Sequence, residues 1–158
     1  MPISRKKICI LSQSPRETLM LGEKLSRLLK PGDIVCLFGE LGSGKTVLTQ
    51  GIARGLGFQR TQVSSPTFTF MNIYEGKVPL YHFDLYRIEH LDELSGIGAE
   101  EFLYGNGICV VEWAEKLGVL LPQECLEIKI KHRDETSRQF NFAAKGERAR
   151  ALLKEFNV

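Results

Sequence analysis

The sequence lacks any apolar run long enough to span a membrane, and residues 1–7 contain no apolar stretch of the kind that secretion signals carry. We therefore expect a cytoplasmic protein that does not enter a membrane. Cysteines are few, and Cys9, Cys36, Cys109 and Cys125 form no Cys-x-x-Cys pair. Each lies among apolar residues, which predicts small buried side chains in a reducing compartment and gives little support to a disulfide scaffold or a zinc site.

A strong excess of charge is also absent. The formal net charge is +2, with 25% charged and 43% hydrophobic residues, an ordinary composition for a globular protein. This balance gives no electrostatic reason to expect direct binding to a polynucleotide or a membrane surface. The chain has no repeat, low-complexity tract or linker, and its 158 residues suit one domain, residues 1–158, with a core of its own.

What the sequence does contain is a complete phosphate-binding loop at 39–46, GELGSGKT. The apolar run at 33–38 before it is typical of a buried strand, and apolar residues at helical spacing follow it. Glycines let successive backbone N–H groups point at a phosphate chain, a lysine adds a compact positive charge and a threonine hydroxyl binds Mg²⁺. We therefore predict ATP and Mg²⁺ as cofactors. The residues expected to contact the nucleotide here are Glu40, Leu41, Gly42, Ser43, Gly44, Lys45, Thr46 and Val47.

Patterning elsewhere predicts alternating strands and helices. A strand is expected at 7–11, then a helix that begins after Ser14 with a proline and a glutamate in its first turn. A hairpin is expected between 67–74 and 78–86, a buried strand at 108–111 and a final helix around 149–156. These elements predict an α/β fold, a three-layer sandwich of the P-loop NTPase type with a mixed central sheet flanked by helices.

Two carboxylates compete for the role of the acidic residue that accompanies such a loop. Glu112 directly follows four buried strand residues, which is the more usual arrangement for a metal-associated acid. Asp84 ends a more mixed run that includes Pro79. We assign Thr46 and Glu112 to the metal, and Asp84 to the attacking water or to the outer ligand shell of the metal. The reverse assignment of the two acids stays open, as do a salt bridge for Glu112 and a helix cap or Arg87 contact for Asp84.

Several neighbouring residues have two interpretations each. Trp113, the only tryptophan, either packs in the protein or stacks near the nucleotide base. His82 is interpreted as a structural hydrogen-bonding residue more readily than as a catalytic one. Arg87 is a candidate cation for the γ-phosphate or a salt-bridge partner of a nearby acid. Glu115 is either a further metal ligand or an exposed loop residue.

Three further strings occur with the loop in a fixed order: SPTF at 65–68, YHFDLYR at 81–87 and VEWAEK at 111–116. Together they resemble the bacterial YjeE family, also called TsaE, from about residue 14 to residue 131. The string at 81–87 is far more specific than the loop. The resemblance implies a small ATPase that works with two partner proteins, TsaB and TsaD. Their product is threonylcarbamoyl on adenosine 37 of transfer RNA, so tRNA is involved indirectly.

The resemblance also implies residue roles. Lys45 and Thr46 match the residues used for the nucleotide and Mg²⁺, and Asp84 and Glu112 match those used for metal and hydrolysis. Thr67 belongs to a segment likened to the first switch of GTPases, which suggests a contact with the γ-phosphate or Mg²⁺. Many members have a second threonine where this chain has Val47, so the finer contacts of that position differ here.

The expected mechanism is hydrolysis by positioning and charge neutralisation, with Lys45, Asp84 and Glu112 as the catalytic set. No arginine is an obvious finger, so we expect a slow ATPase completed when the segment at 64–70 meets a partner. A small-molecule kinase is one alternative, although the stretch at 89–101 is short and acidic where such enzymes carry an arginine-bearing lid. A nucleotide-gated adaptor is the other. A GTPase would carry an Asn-Lys-x-Asp string, which this sequence lacks.

Overall fold

The protein is described by a computed structural model that covers residues 7–59, 63 and 70–156. Its strands are β1 Lys7–Ser12, β2 Ile34–Phe38, β3 Met71–Tyr74, β4 Leu80–Asp84, β5 Ile108–Glu112, β6 Cys125–His132 and β7 Arg138–Lys145. Its α-helices are α1 Pro15–Ser26, α2 Lys45–Gly55, α3 Asp92–Gly96, α4 Ala99–Leu103 and α5 Glu147–Glu155, and a 3₁₀ segment spans Ala114–Leu120.

The strands form one seven-stranded mixed sheet in the order β1-β7-β6-β2-β5-β4-β3. The four central strands β6, β2, β5 and β4 are parallel, whereas β1, β7 and β3 pair antiparallel with their neighbours. β2 and β5 are buried along almost their whole length, as expected for parallel strands covered on both faces. Their carboxyl ends meet at one edge of the sheet, where α2 begins.

Two apolar clusters, one on each face of the sheet, form the core. The first packs α1, α2 and α5 against strand residues such as Val35 and Val110. The second packs α3, α4 and the 3₁₀ segment against the alternate residues, such as Cys36 and Val111. Successive strand residues point to opposite faces, so a single strand supplies both clusters. The three-layer α/β sandwich predicted from the patterning is therefore confirmed.

α1 and α2 lie in contact on one face, and their glycines allow the close approach. A Cβ atom on Gly22 would lie 2.6 Å from the carbonyl oxygen of Leu48, and one on Gly51 would lie 2.3 Å from that of Leu19. No side chain larger than hydrogen fits there without moving a backbone. The start of α1 is held as predicted, because the Glu17 N–H donates to the Ser14 hydroxyl at 3.2 Å. α2, and with it the phosphate-binding loop, is thus seated against a capped neighbour.

Most predicted elements are present, with local differences. α1 ends at Ser26, and Leu29 is buried beyond the helix end. The hairpin of β3 and β4 is confirmed, with Pro79 just before β4. The predicted strand residues 67–69 lie outside the described part. No helix within the described ranges combines the length and apolarity needed to cross a bilayer.

The cysteine prediction is wrong at one position. Cys36, Cys109 and Cys125 are buried free thiols, and burial raises the pKa of Cys109 to about 12, so it behaves as a small apolar side chain. Cys9 is exposed instead. It lies on β1, the outermost strand beside β7, whose alternate residues face away from the core. An apolar neighbourhood in the sequence did not distinguish the two faces of this strand.

Candidate functional site

The loop at 39–44 connects the carboxyl end of β2 to the first residue of α2. Gly42 and Gly44 have φ angles of 77° and 108°, in the left-handed region that other residues avoid. A Cβ atom on Gly39 would lie 2.6 Å from the Ser43 hydroxyl oxygen and 2.8 Å from the carbonyl oxygen of Ile130. The backbone of this loop therefore requires glycine at these three positions. It places the amino end of α2, with its unpaired N–H groups and positive dipole, at this edge of the sheet.

Lys45, the first residue of α2, directs its ammonium group back into the loop. Its Nζ donates to the carbonyl oxygens of Gly39 and Glu40, the latter at 2.9 Å, and to the Ser43 hydroxyl at 3.2 Å. Lys45 is only 5% exposed. Burial lowers the pKa of its ammonium group, an effect that the charges of Glu112, Glu115 and Asp84 oppose. The result is a buried cation that is held by neutral oxygens.

Trp113 covers this cation from the other side. The indole ring lies 4.1 Å from Lys45 Nζ, measured to the ring centroid, and 4.9 Å from the ring centroid of Tyr86. Trp113 directly follows β5 and has a φ of 59°, an uncommon conformation for a residue with a side chain. This backbone turn carries the indole over the loop, where it forms a cation–π contact and one aromatic wall of the site.

Thr46 and Glu112 meet across the edge of the sheet. The Thr46 hydroxyl donates to Glu112 Oε1 at 2.8 Å, although 66 positions separate the two residues. The second oxygen, Glu112 Oε2, contacts Nε2 of His82, a residue of the neighbouring strand β4. Glu112 is 2% exposed and His82 is fully buried. A hydroxyl and a carboxylate are therefore brought together at the start of α2, a pair of oxygen donors of the kind that Mg²⁺ uses alongside phosphate oxygens.

Asp84 lies beside Glu112 at the ends of adjacent strands, since β4 and β5 pair with these two residues opposite each other. Its side chain is buried, and its Oδ1 accepts a hydrogen bond from the Tyr86 N–H at 3.0 Å. This local contact was not among the interpretations left open for Asp84, which were a helix cap and an Arg87 contact. Because Thr46 contacts Glu112, the geometry favours Glu112 as the acid closer to the loop and Asp84 as the one farther from it.

A cavity of about 430 Å³ joins these groups. Of the predicted site residues, its lining includes Leu41, Gly42, Ser43, Gly44, Lys45, Thr46, Val47, Asp84, Glu112 and Trp113. Glu40 is not in the lining and contributes its carbonyl to Lys45. Arg87 and Glu115 have exposed side chains. The prediction for Thr67 lies outside the described residues.

Sequence reasoning missed two members of this constellation. Tyr86 lines the cavity and pairs with Trp113, but it was not considered as a site residue. His82 was expected to make a structural hydrogen bond, and its partner proves to be the predicted metal acid Glu112. The sequence did contain a signal for His82. Side chains two positions apart on a strand lie on the same face, so residue 82 must share a face with the predicted site residue 84.

This fold and its loop define the class of protein: an α/β protein of the P-loop NTPase type. A family model described as threonylcarbamoyl adenosine biosynthesis protein TsaE matches residues 12–140. The chain belongs to the TsaE family, which confirms the resemblance carried by the three sequence strings.

Individual relatives agree along most of the chain. It is 43% identical over 145 residues to the tRNA threonylcarbamoyladenosine biosynthesis protein TsaE of Bacillus subtilis, covering 91% of this chain and 90% of the relative. The TsaE protein of Treponema pallidum is 39% identical over 133 residues, covering 84% and 98%. A crystal structure of YdiB from Bacillus subtilis superposes with a TM-score of 0.81 at 37% identity and covers 98% of this chain and 96% of that one.

Proposed function

We propose that this chain is a Mg²⁺-dependent ATPase of tRNA threonylcarbamoyladenosine biosynthesis that acts in the cytoplasm with TsaB and TsaD partners. Membership of the TsaE family supports the pathway, because the relatives' names state it. The observation that carries the ATPase proposal is the contact between Thr46 and Glu112 beside the buried Lys45. It sets a hydroxyl, a carboxylate and an ammonium around one cavity.

The residues present fit a nucleotide with Mg²⁺. The loop glycines have the backbone angles that turn N–H groups inward, and Gly42 and Gly44 have open space where a side chain would stand. Thr46 and Glu112 would hold the ion, which when bound would neutralise charge on the phosphate oxygens. Tyr86 and Trp113 offer aromatic faces at the border of the cavity, where a base or ribose would be shielded from water.

In the proposed mechanism, each protein group has a limited task. Lys45 exchanges its loop carbonyls for phosphate oxygens, which are stronger partners for an ammonium because they carry full charge. The N–H groups at the start of α2 bind the same phosphates. Asp84 orients the attacking water and accepts its proton at a carboxylate oxygen. Phosphoryl transfer needs little more from side chains than this positioning and charge neutralisation.

We propose that TsaB and TsaD complete or gate this site. The inference rests on the family and on the lack of an obvious arginine finger in the sequence. ATP turnover by the isolated chain should be slow and should rise when both purified partners are present. The test is phosphate release measured with the chain alone, with each partner and with both.

Fast turnover by the isolated chain, unaffected by partners, would contradict the gating proposal. A pull-down of partners in ATP, in ADP and without nucleotide separates an ATPase cycle from a nucleotide-gated adaptor. If assembly and tRNA modification persist when an Asp84→Asn variant no longer hydrolyses ATP, the adaptor interpretation is correct.

A further inference from the structure

We propose that His82 is a positioning residue that holds the Glu112 carboxylate in the orientation in which it faces Thr46. The role in Mg²⁺ binding rests on the proposed function, whereas the contact between the two side chains does not. The proposal gives His82 of β4 a role in the site, beside Asp84 of the same strand.

The sheet register brings the two side chains to one face. In the pairing of β4 with β5, Asp84 is opposite Glu112 and His82 is opposite Val110. Residues two apart on a strand share a face, so His82 and Glu112 are diagonal neighbours on the face covered by α2. His82 is 0% exposed, and its Nε2 contacts Glu112 Oε2. Water does not compete for this contact.

The imidazole is not explained by packing. His82 Nδ1 has no hydrogen-bond partner among the residues that the structure describes. A buried nitrogen without a partner costs stability, and an apolar side chain of similar size would fill the space without that cost. What the imidazole supplies, and leucine would not, is a donor aimed at Glu112. A carboxylate oxygen accepts hydrogen bonds, so Nε2 of the ring is the donor in this contact.

The carboxylate is thereby restrained at both oxygens. Oε2 contacts His82 on β4, and Oε1 accepts from Thr46 at the start of α2, at 2.8 Å. A carboxylate with one oxygen fixed by a buried donor cannot rotate freely away from its other partner. Groups that orient a metal-binding side chain in this way typically change metal affinity by about 10- to 100-fold when they are removed.

The test compares substitutions that keep or remove the donor. His82→Gln retains an amide nitrogen near the Nε2 position, His82→Asn is one methylene too short to reach Glu112, and His82→Leu has no donor. Calorimetry measures ATP affinity with Mg²⁺ and again with a chelator. The ratio of the two affinities is the gain due to Mg²⁺. We expect the Leu and Asn variants to lose about 10- to 100-fold of this gain, and the Gln variant to keep it within about threefold.

A matched control separates positioning from stability. Val110→Ala truncates a fully buried residue opposite His82 and should lower the unfolding midpoint while leaving the Mg²⁺ gain intact. If the Leu variant does not fold, the Gln and Asn pair decides the question. Full gain in the Asn variant, or equal loss in the Asn and Gln variants, would overturn the proposal.

A second arm needs no nucleotide. Urea unfolding of His82→Asn, Glu112→Gln and the double variant forms a cycle in which direct contact makes the two effects non-additive. Additive effects would overturn the contact. If the unmodified protein shows no Mg²⁺-dependent ATP binding, the proposed function fails, and with it the metal role of His82. The cycle still decides whether His82 restrains Glu112, so the two failures are distinguishable.

Discussion

Lys45 and Arg148 are cations at opposite ends of the same central strand, β2, and their surroundings differ. Arg148, in the first turn of α5, donates from Nε and Nη2 to the two carboxylate oxygens of Asp33, both at 3.0 Å, and from Nη2 to the carbonyl oxygen of Leu28 at 2.8 Å. The hydrogen bond to Asp33 raises the pKa of Arg148. Lys45 contacts carbonyl and hydroxyl oxygens and an indole ring, and burial lowers its pKa.

This difference supports a structural role for Arg148 and the proposed nucleotide-binding role for Lys45. The charge of Arg148 is matched by a carboxylate within the fold, so the pair ties α5 to the entrance of β2. Among the described residues, Lys45 forms no ion pair within the 4 Å that such a contact requires. An ammonium that is desolvated and has no carboxylate in direct contact gains more from an incoming anion than an already paired guanidinium does.

The same comparison applies to two cavities in the described part of the chain. The larger one, about 570 Å³, lies near the amino ends of the strands and is lined by Asp33 and Arg148 among mostly apolar side chains. The smaller one, about 430 Å³, contains the loop, Lys45 and the two acids. Size alone would select the amino end of the sheet. The chemistry of the lining, and above all a buried cation that no described carboxylate contacts, supports the proposed site at the carboxyl end.

The largest effect is expected when aspartate is changed to asparagine at the carboxyl end of the sheet, and the same change at the amino end is its control. Asp84→Asn should slow ATP turnover by about 100-fold or more while nucleotide affinity changes little, because the carboxylate is assigned to the attacking water. Asp33→Asn, the matched control at the amino end, should leave turnover unchanged. Single-turnover phosphate release and calorimetry measure the two quantities. If both variants lost turnover equally, Asp84 would have no special role in hydrolysis and the assignment of the site to the carboxyl end would be wrong.

The next effect is the loss of the unmatched cation. Lys45→Ala should weaken ATP binding by about 10- to 100-fold, since a charged hydrogen bond to phosphate disappears. Its free energy of unfolding should change by only about 1 kcal/mol, because burial of the charge offsets the contacts that it makes. Calorimetry and urea unfolding test both parts. Retained affinity with a large loss of stability would show that Lys45 is structural.

Arg148→Ala should show the opposite pattern. Removing the guanidinium leaves Asp33 with an unpaired and mostly buried carboxylate, so unfolding should become easier by about 1–2 kcal/mol, less than for a fully buried pair because Arg148 is 38% exposed. ATP affinity should not change. Arg150→Ala, in the same helix, is the control for loss of a positive charge. Similar urea midpoints for the two variants would argue against the ion pair with Asp33.

The smallest expected effect concerns Asp134, whose side chain accepts hydrogen bonds from residues of its own turn. Hydrogen bonds from Ser137 and Thr136 lower the pKa of Asp134 from 3.8 to about 2. The folded state therefore prefers the charged form, and this stabilisation is present above pH 3.8 and lost as the pH falls through about 2.

Asp134→Asn should accordingly lower the melting temperature slightly at neutral pH, by an amount that disappears in strong acid. Melting curves recorded across this pH range test the prediction. A difference between variant and parent that does not depend on pH would show that the charge of Asp134 is not responsible.

Local features were predictable because they depend on neighbours along the chain. The glycine spacing at 39–46 is a demand of one tight turn, and Ser14 caps α1 with a group three residues away. The long-range arrangement was not. Cys9 faces outward because β1 is the outermost strand beside β7, and Tyr86 meets Trp113 because β4 and β5 are adjacent. The strand order that decides both is set by packing between distant segments.

By itself the sequence determined the phosphate-binding loop, the strand before it, the helix after it and two candidate acids, since backbone angles and apolar periodicity are written in short stretches of chain. Only the tertiary structure decided which groups share the site. By placing β5 between β2 and β4, the sheet brings Glu112 to Thr46 on one side and to His82 on the other. Contacts between residues far apart in sequence depend on how the whole sheet buries its apolar faces, and no local pattern contains that information.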